Sequence, residues 1–138
     1  GILRDTLGAR NPTDKTVCLQ GDAGMSTGIL MRSGLIEVWG DAGPNTGVLM
    51  QGGRIVVRGR SGDFTGAEMR GGEILVEGDA GSFTCARMKG GAIYAKEGKS
   101  VPPACQQMTN PCEQAAIAKI LKIPMIHAMM YRKFVILK

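Results

Sequence analysis

Apolar residues and glycines recur along this chain in columns with a fixed spacing of 19 positions between Gly21 and Gly98. Glycine stands at 21, 40, 59 and 78, at 24, 43, 62 and 81, and again at 34, 53, 72 and 91. Methionine fills a further column as Met31, Met50, Met69 and Met88, and the pairs Ile36/Val38, Ile55/Val57, Ile74/Val76 and Ile93/Ala95 fill two more. A fixed period with a fixed role at each position is a repeat architecture. From the double-glycine site onward each unit alternates apolar and variable residues over about five positions, which is strand periodicity, and no stretch of the unit sustains a helical period.

Short strands recurring at this constant spacing, with no room for a crossover helix, predict coils that stack in parallel. Each residue then lies roughly 4.8 Å from its counterpart in the previous coil. Stacked Ile, Val and Met columns supply the core, because no single coil can bury its apolar face alone. Gly24, Gly43, Gly62 and Gly81 are expected at turns, where a positive φ costs glycine nothing. The column Thr27, Thr46, Thr65 and Thr84 predicts a ladder of hydroxyls bonded to nearby backbone rather than a catalytic row.

The pattern predicts an all-β fold: a right-handed parallel β-helix with 19-residue coils over 17–98, preceded by a cap segment at 1–16 and followed by a C-terminal helix and tail at 99–138. In the cap, Leu3, Leu7 and Ala9 suggest a helical turn broken at Asn11-Pro12, and Val17 and Leu19 begin a partial first coil. Unpaired strand edges at the ends of a solenoid need such covers. In the tail, Val101-Pro102-Pro103 reads as an extended connector. Asn110-Pro111-Cys112-Glu113 then reads as a helix start with N-cap, proline in the first turn and capping-box glutamate. The helix is expected to reach about Lys122 before Pro124, with Ile117, Ile120 and Leu121 on one face. Phe134-Val135-Ile136-Leu137 is β-prone and suited to pairing with a strand edge or a partner.

With the Ile column facing in, Val56, Leu75 and Tyr94 face out on adjacent coils, with Trp39 alongside. Contiguous outward apolar residues mark a docking face. The cover is either a partner chain or the chain's own helix through Ile117, Ile120 and Leu121. A second outward column, Leu30, Leu49, Glu68 and Arg87, becomes charged toward the C-terminus.

Composition narrows the function classes. The 138 residues suit one domain, and 43% hydrophobic but only 4% aromatic residues fit a narrow solenoid core. The formal charge of +5 lacks the runs of like charge that nucleic-acid tails carry, and no apolar run reaches the roughly 18 residues of a membrane span. Neither nucleic acid nor membrane is therefore expected as a partner. The chain opens on Gly1 rather than methionine, as a trimmed start would, and shows no signal segment. Its four cysteines form no CxxC pair, so free thiols and a cytoplasmic location are expected.

The run from Asp63 to Gly81, DFTGAEMRGGEILVEGDAG, resembles the repeat of the GXGXG β-helix family. That family includes the C-terminal domain of the glutamate synthase large subunit and the C subunit of formylmethanofuran dehydrogenase, and the wording Gly66-Ala67-Glu68-Met69-Arg70-Gly71-Gly72 leans toward the latter. The resemblance covers 17–98. It implies a structural solenoid without cofactor or catalytic residue of its own, docked to oxidoreductase subunits that carry a molybdopterin or tungstopterin with iron–sulfur clusters, or flavin.

Two rival motifs are weaker. Gly24-Met25-Ser26-Thr27-Gly28 matches the G-x-S-x-G nucleophile elbow, but the same columns in later coils read Gly43-Pro44-Asn45-Thr46-Gly47 and Gly62-Asp63-Phe64-Thr65-Gly66. Ser26 is thus a variable position between structural glycines, and His127 is the sole histidine available to serve it. Cys105 and Cys112 have no recognised metal-ligand spacing, and the G-x-x-G strings lead into no helix that could hold a phosphate, so no metal or cofactor site is expected in this chain.

Overall fold

The structure of the protein, a computed structural model, describes residues 16–100, 102 and 104–136. The cap expected at 1–16 lies outside the described residues except for Thr16, and so do Val101 and Pro103 of the expected connector. Five strands of four residues occupy the predicted places: β1 Thr16–Leu19, β2 Leu35–Val38, β3 Arg54–Val57, β4 Glu73–Val76 and β5 Ala92–Ala95. They pair in parallel, each residue with its counterpart one period on, so Val17, Ile36, Ile55, Ile74 and Ile93 form one row.

That row is the spine of the core. Ile36, Ile55, Ile74 and Ile93 are fully buried, as are Val38, Val57, Val76 and Ala95 on the same strands and Met31, Met50 and Met69 behind them. The solenoid therefore has about four turns, as the repeat count predicts. Its ladder continues past β5 through bridges from Asp79 to Glu97 and from Thr84 to Ser100.

The tail completes the same sheet rather than standing apart. After β6, Ala104–Met108, come α1, Pro111–Leu121, α2, Met125–Ala128, and β7, Arg132–Ile136. β7 pairs antiparallel with β5 on one side and β6 on the other, which gives a seven-stranded order β1-β2-β3-β4-β5-β7-β6. Phe134 enters the solenoid core fully buried, facing Ile93 in register. α1 starts as its sequence dictates: the Asn110 side chain accepts from Glu113 N, and Glu113 accepts from Asn110 N, closing both halves of a capping box. It stops at Leu121, where Lys122 takes a left-handed conformation with φ 57°, just short of Pro124.

Candidate functional site

The outward strip and the helix expected nearby meet. Val56 and Leu75 are 1% and 3% exposed, packed with Ile117 and Leu121 of α1 and with Ala128 and Tyr131 at and beyond the end of α2. Tyr94 and Ile120 pack at the margin of this cluster. Of the two covers considered for the strip, the one present is the chain's own helix, so Val56 and Leu75 are not open to a partner. The physical reason is entropy: an amphipathic helix in the same chain buries its Ile/Leu face without the loss of translational freedom that a separate partner incurs. Trp39 remains 45% exposed. Its Nε1 donates to Glu37 Oε1 at 2.8 Å, and the Arg58 guanidinium lies 4.5 Å over its ring.

Arg58 is the residue that sequence reasoning leaves unassigned, and it ties α1 to the solenoid. Its Nη1 donates to Leu121 O at 3.0 Å, and its Nη2 to Ile120 O at 3.2 Å and Glu37 Oε2 at 3.1 Å, while Glu77 stands 4.0 Å away. A cation at the carbonyl end of a helix meets both the unpaired acceptors and the negative end of the dipole. A signal is present in the sequence, since Glu77 stands in Arg58's own column one coil on and Glu37 two positions off that column one coil back, but the helix carbonyls that Arg58 reaches are 62 and 63 residues away. At the other end of α1, the Tyr94 hydroxyl donates to Glu113 Oε2 at 3.1 Å, and Lys133 pairs with the same carboxylate. Burial pushes the Tyr94 hydroxyl well above its usual value, reinforced by the Glu113 charge. Burial also acts to raise the Glu113 carboxyl, but the Lys133 bond, the Asn110 N–H and the Lys133 charge together hold it below the ordinary value. Between α1 and the sheet lies a cavity of about 260 Å³, bordered by the Arg54–Glu73 ion pair and floored by Leu75, Ile117 and Ile120.

The glycine columns do two jobs, and only one is turning. Gly24, Gly43, Gly62 and Gly81 are absent from the positive-φ residues, which corrects the turn assignment expected for them. At the last three of them coils approach too closely for a side chain: a Cβ on Gly43 would stand 3.0 Å from Gly24 O, on Gly62 2.7 Å from Pro44 N, and on Gly81 2.7 Å from Gly62 C. Left-handed backbone falls instead on Gly28, Gly47 and Gly66, on Gly34, Gly53, Gly72 and Gly91, and on two columns of larger residues formed by Ser26, Asn45, Phe64 and Phe83 and by Leu30, Leu49, Glu68 and Arg87.

The rival motif is absorbed by this scaffold. Ser26 holds φ 62° in a corner whose N–H bonds Pro44 O at 2.8 Å, as Asn45 and Phe64 do to their own next coils. His127 lies on α2, and the residues that follow it border Asp79, Lys96 and Glu97 of the last coils, whereas Ser26 belongs to the first. The Thr27, Thr46, Thr65 and Thr84 hydroxyls are fully buried and donate to the carbonyls of Gly24, Gly43, Gly62 and Gly81 at 2.7–3.4 Å, the backbone ladder that their spacing predicts. Cys105 is half-buried on β6 and Cys112 exposed on α1, and among the described residues no three His, Cys, Asp or Glu side chains are grouped as a metal ion requires. No helix among the described residues is long and apolar enough to cross a membrane. Comparison with family models, curated proteins and solved structures gives no match.

Proposed function

We propose that this chain is a non-catalytic scaffold subunit of a multisubunit oxidoreductase in the cytoplasm, of the formylmethanofuran dehydrogenase type. On this proposal the coil winds right-handed, the hand that parallel β connections adopt almost without exception. The observation that carries it is how the repeat uses its polar groups. The threonine hydroxyls bond backbone carbonyls, and Asp22, Asp41 and Asp63 each accept a backbone N–H from the next coil at 2.8–2.9 Å. The threonines pin each corner within its own coil and the aspartates hold coil to coil, which makes a rigid rod and suits a part that positions other parts. The resemblance of the 17–98 repeat to the GXGXG family supplies the type of assembly, with partner subunits carrying a pterin-bound metal and iron–sulfur clusters. A glutamate synthase-like complex with flavin is the alternative, because both systems share this repeat.

The test is native purification of the tagged chain from its source cells, with mass spectrometry and cofactor analysis. Stoichiometric partners with molybdenum or tungsten pterin support the first assembly, and flavin with an amidotransferase supports the second. A chain that purifies alone overturns both. Ser26→Ala is expected to leave any activity of the assembly unchanged, and ester hydrolysis by the pure chain that disappears with this substitution would make it an enzyme instead.

A further inference from the structure

The sheet face is closed by α1, but the turn around α2 leaves apolar surface open. Met125, Ile126, Met129 and Met130 are 41%, 70%, 52% and 60% exposed, which places four of the nine exposed large hydrophobics among the described residues within six consecutive positions. Met129 and Met130 line a cleft of about 520 Å³ with Asp79, Lys96, Glu97 and Arg132. Charge is concentrated in the same segment. Lys119, Lys122, Arg132, Lys133 and Lys138 follow Glu113 and no acidic residue does, so the two signs balance up to Glu113 and the whole net charge of +5 resides in 114–138.

We propose that the α2 surface seats a different polypeptide, one whose contact face presents apolar side chains ringed by carboxylates. Charge complementarity selects that partner over the alternatives. A second copy would set Lys119, Lys122 and Arg132 against their own counterparts, and like charges brought together at a contact are costly. An anionic bilayer is disfavoured by the shortness of the element. Interfacial helices run for several turns with Trp, Phe or Leu, whereas α2 has four residues and its Tyr131 neighbour is fully buried. Exposed thioethers adapt their shape to an irregular protein surface. The proposal rests on the scaffold reading only in supposing a partner of another sequence.

The probe is a pair of labelled amphipathic helical peptides, leucine on one face and either glutamate or lysine on the other, titrated against the full chain by fluorescence anisotropy. The glutamate peptide should bind at least tenfold tighter than the lysine peptide and weaken as salt is raised. The double substitution Met129→Asp/Met130→Asp should reduce its affinity at least tenfold while the melting curve stays put. Ile126→Glu, at the most exposed of the four positions, serves if the double variant does not fold. Equal affinity for both peptides, or full affinity in the variants, overturns the proposal. So does self-association that these substitutions abolish, or partition onto phosphatidylglycerol vesicles in preference to the glutamate peptide. A native assembly that survives the double substitution intact would overturn this surface and leave the scaffold reading standing. A chain that purifies without partners yet still selects the glutamate peptide would do the reverse.

Discussion

Gly28, Gly47 and Gly66 answer to a contact two strands away. A Cβ on Gly47 would lie 2.3 Å from Ile74 Cδ1, and on Gly66 2.3 Å from Ile93 Cδ1, with the backbone held at φ 71° and 70°. Gly47→Ala is therefore expected to cost about 2–4 kcal/mol, adding a left-handed alanine to an overpacked core, as read by urea denaturation. The next position in that column is Cys85, in the same left-handed conformation at φ 67° and fully buried. Cys85→Gly should cost only roughly 1 kcal/mol, since release of the backbone strain offsets the lost packing. Burial pushes the Cys85 thiol from its ordinary 9.0 up to about 12. The thiol's contribution to stability is thus whole below pH 9 and lost as pH rises from 9 to about 12, where the unfolded chain has released its proton and the folded chain has not. Within that window the parent should lose about 1.4 kcal/mol per pH unit more than Cys85→Ala does, and in native protein Cys18 and Cys112 should react with a thiol reagent while Cys85 waits for unfolding. Buried columns are legible in the sequence because inward packing repeats a residue type. The left-handed columns of Phe64 and Glu68 are not, because neither residue advertises a conformation it disfavours.

At the scale of elements, α1 is a brace clamped at both ends. Glu113 anchors its first turn to Tyr94 and Lys133, and Arg58 holds its last carbonyls. Leu75→Lys puts a charge beneath that brace and is expected to lower stability by about 3 kcal/mol or more, as thermal unfolding would register. Arg58→Ala removes a side chain that is 10% exposed and takes the arginine donor from Glu37 Oε2 and two helix carbonyls, for an expected loss of about 2–4 kcal/mol; Arg58→Lys should recover only part, lacking the fork that reaches two carbonyls. α1 can be read from its sequence because its cap is written in four consecutive residues. β6 cannot: Ala104-Cys105-Gln106-Gln107-Met108 shows little apolar alternation, and its strand form comes from pairing with β7, which begins only after both helices have passed. The outward strip of Val56 and Leu75 is legible on its strand face, but its cover comes from a distant part of the chain, and no local pattern chooses between a partner and the chain's own helix.

Across the whole molecule, a parallel stack ends by reversing direction. β7 meets β5 antiparallel and brings Phe134 over the last isoleucine, so the growing edge is closed by a strand of opposite polarity. Removing 109–138 would reopen the β5 edge and bare Val56 and Leu75 together. Such a truncation is expected to aggregate at concentrations where the full chain stays clear, as light scattering would detect. The repeat announces the stack and its register; the closure rests on β7, which is separated from β5 by β6 and both helices and carries none of the repeat pattern.

Cys85 also fixes how long the rod can be. In each earlier coil the glycine of that column makes room for an isoleucine lying 27 positions on, and from Cys85 that count falls at Cys112, in α1, outside the stack. A tandem copy of one unit inserted after Gly98 would bring an isoleucine against Cys85, so lengthening would succeed only with Cys85→Gly beside it. The last coil in this way carries its own stop mark, and a descendant with five coils should be recognisable by where its first non-glycine in that column occurs.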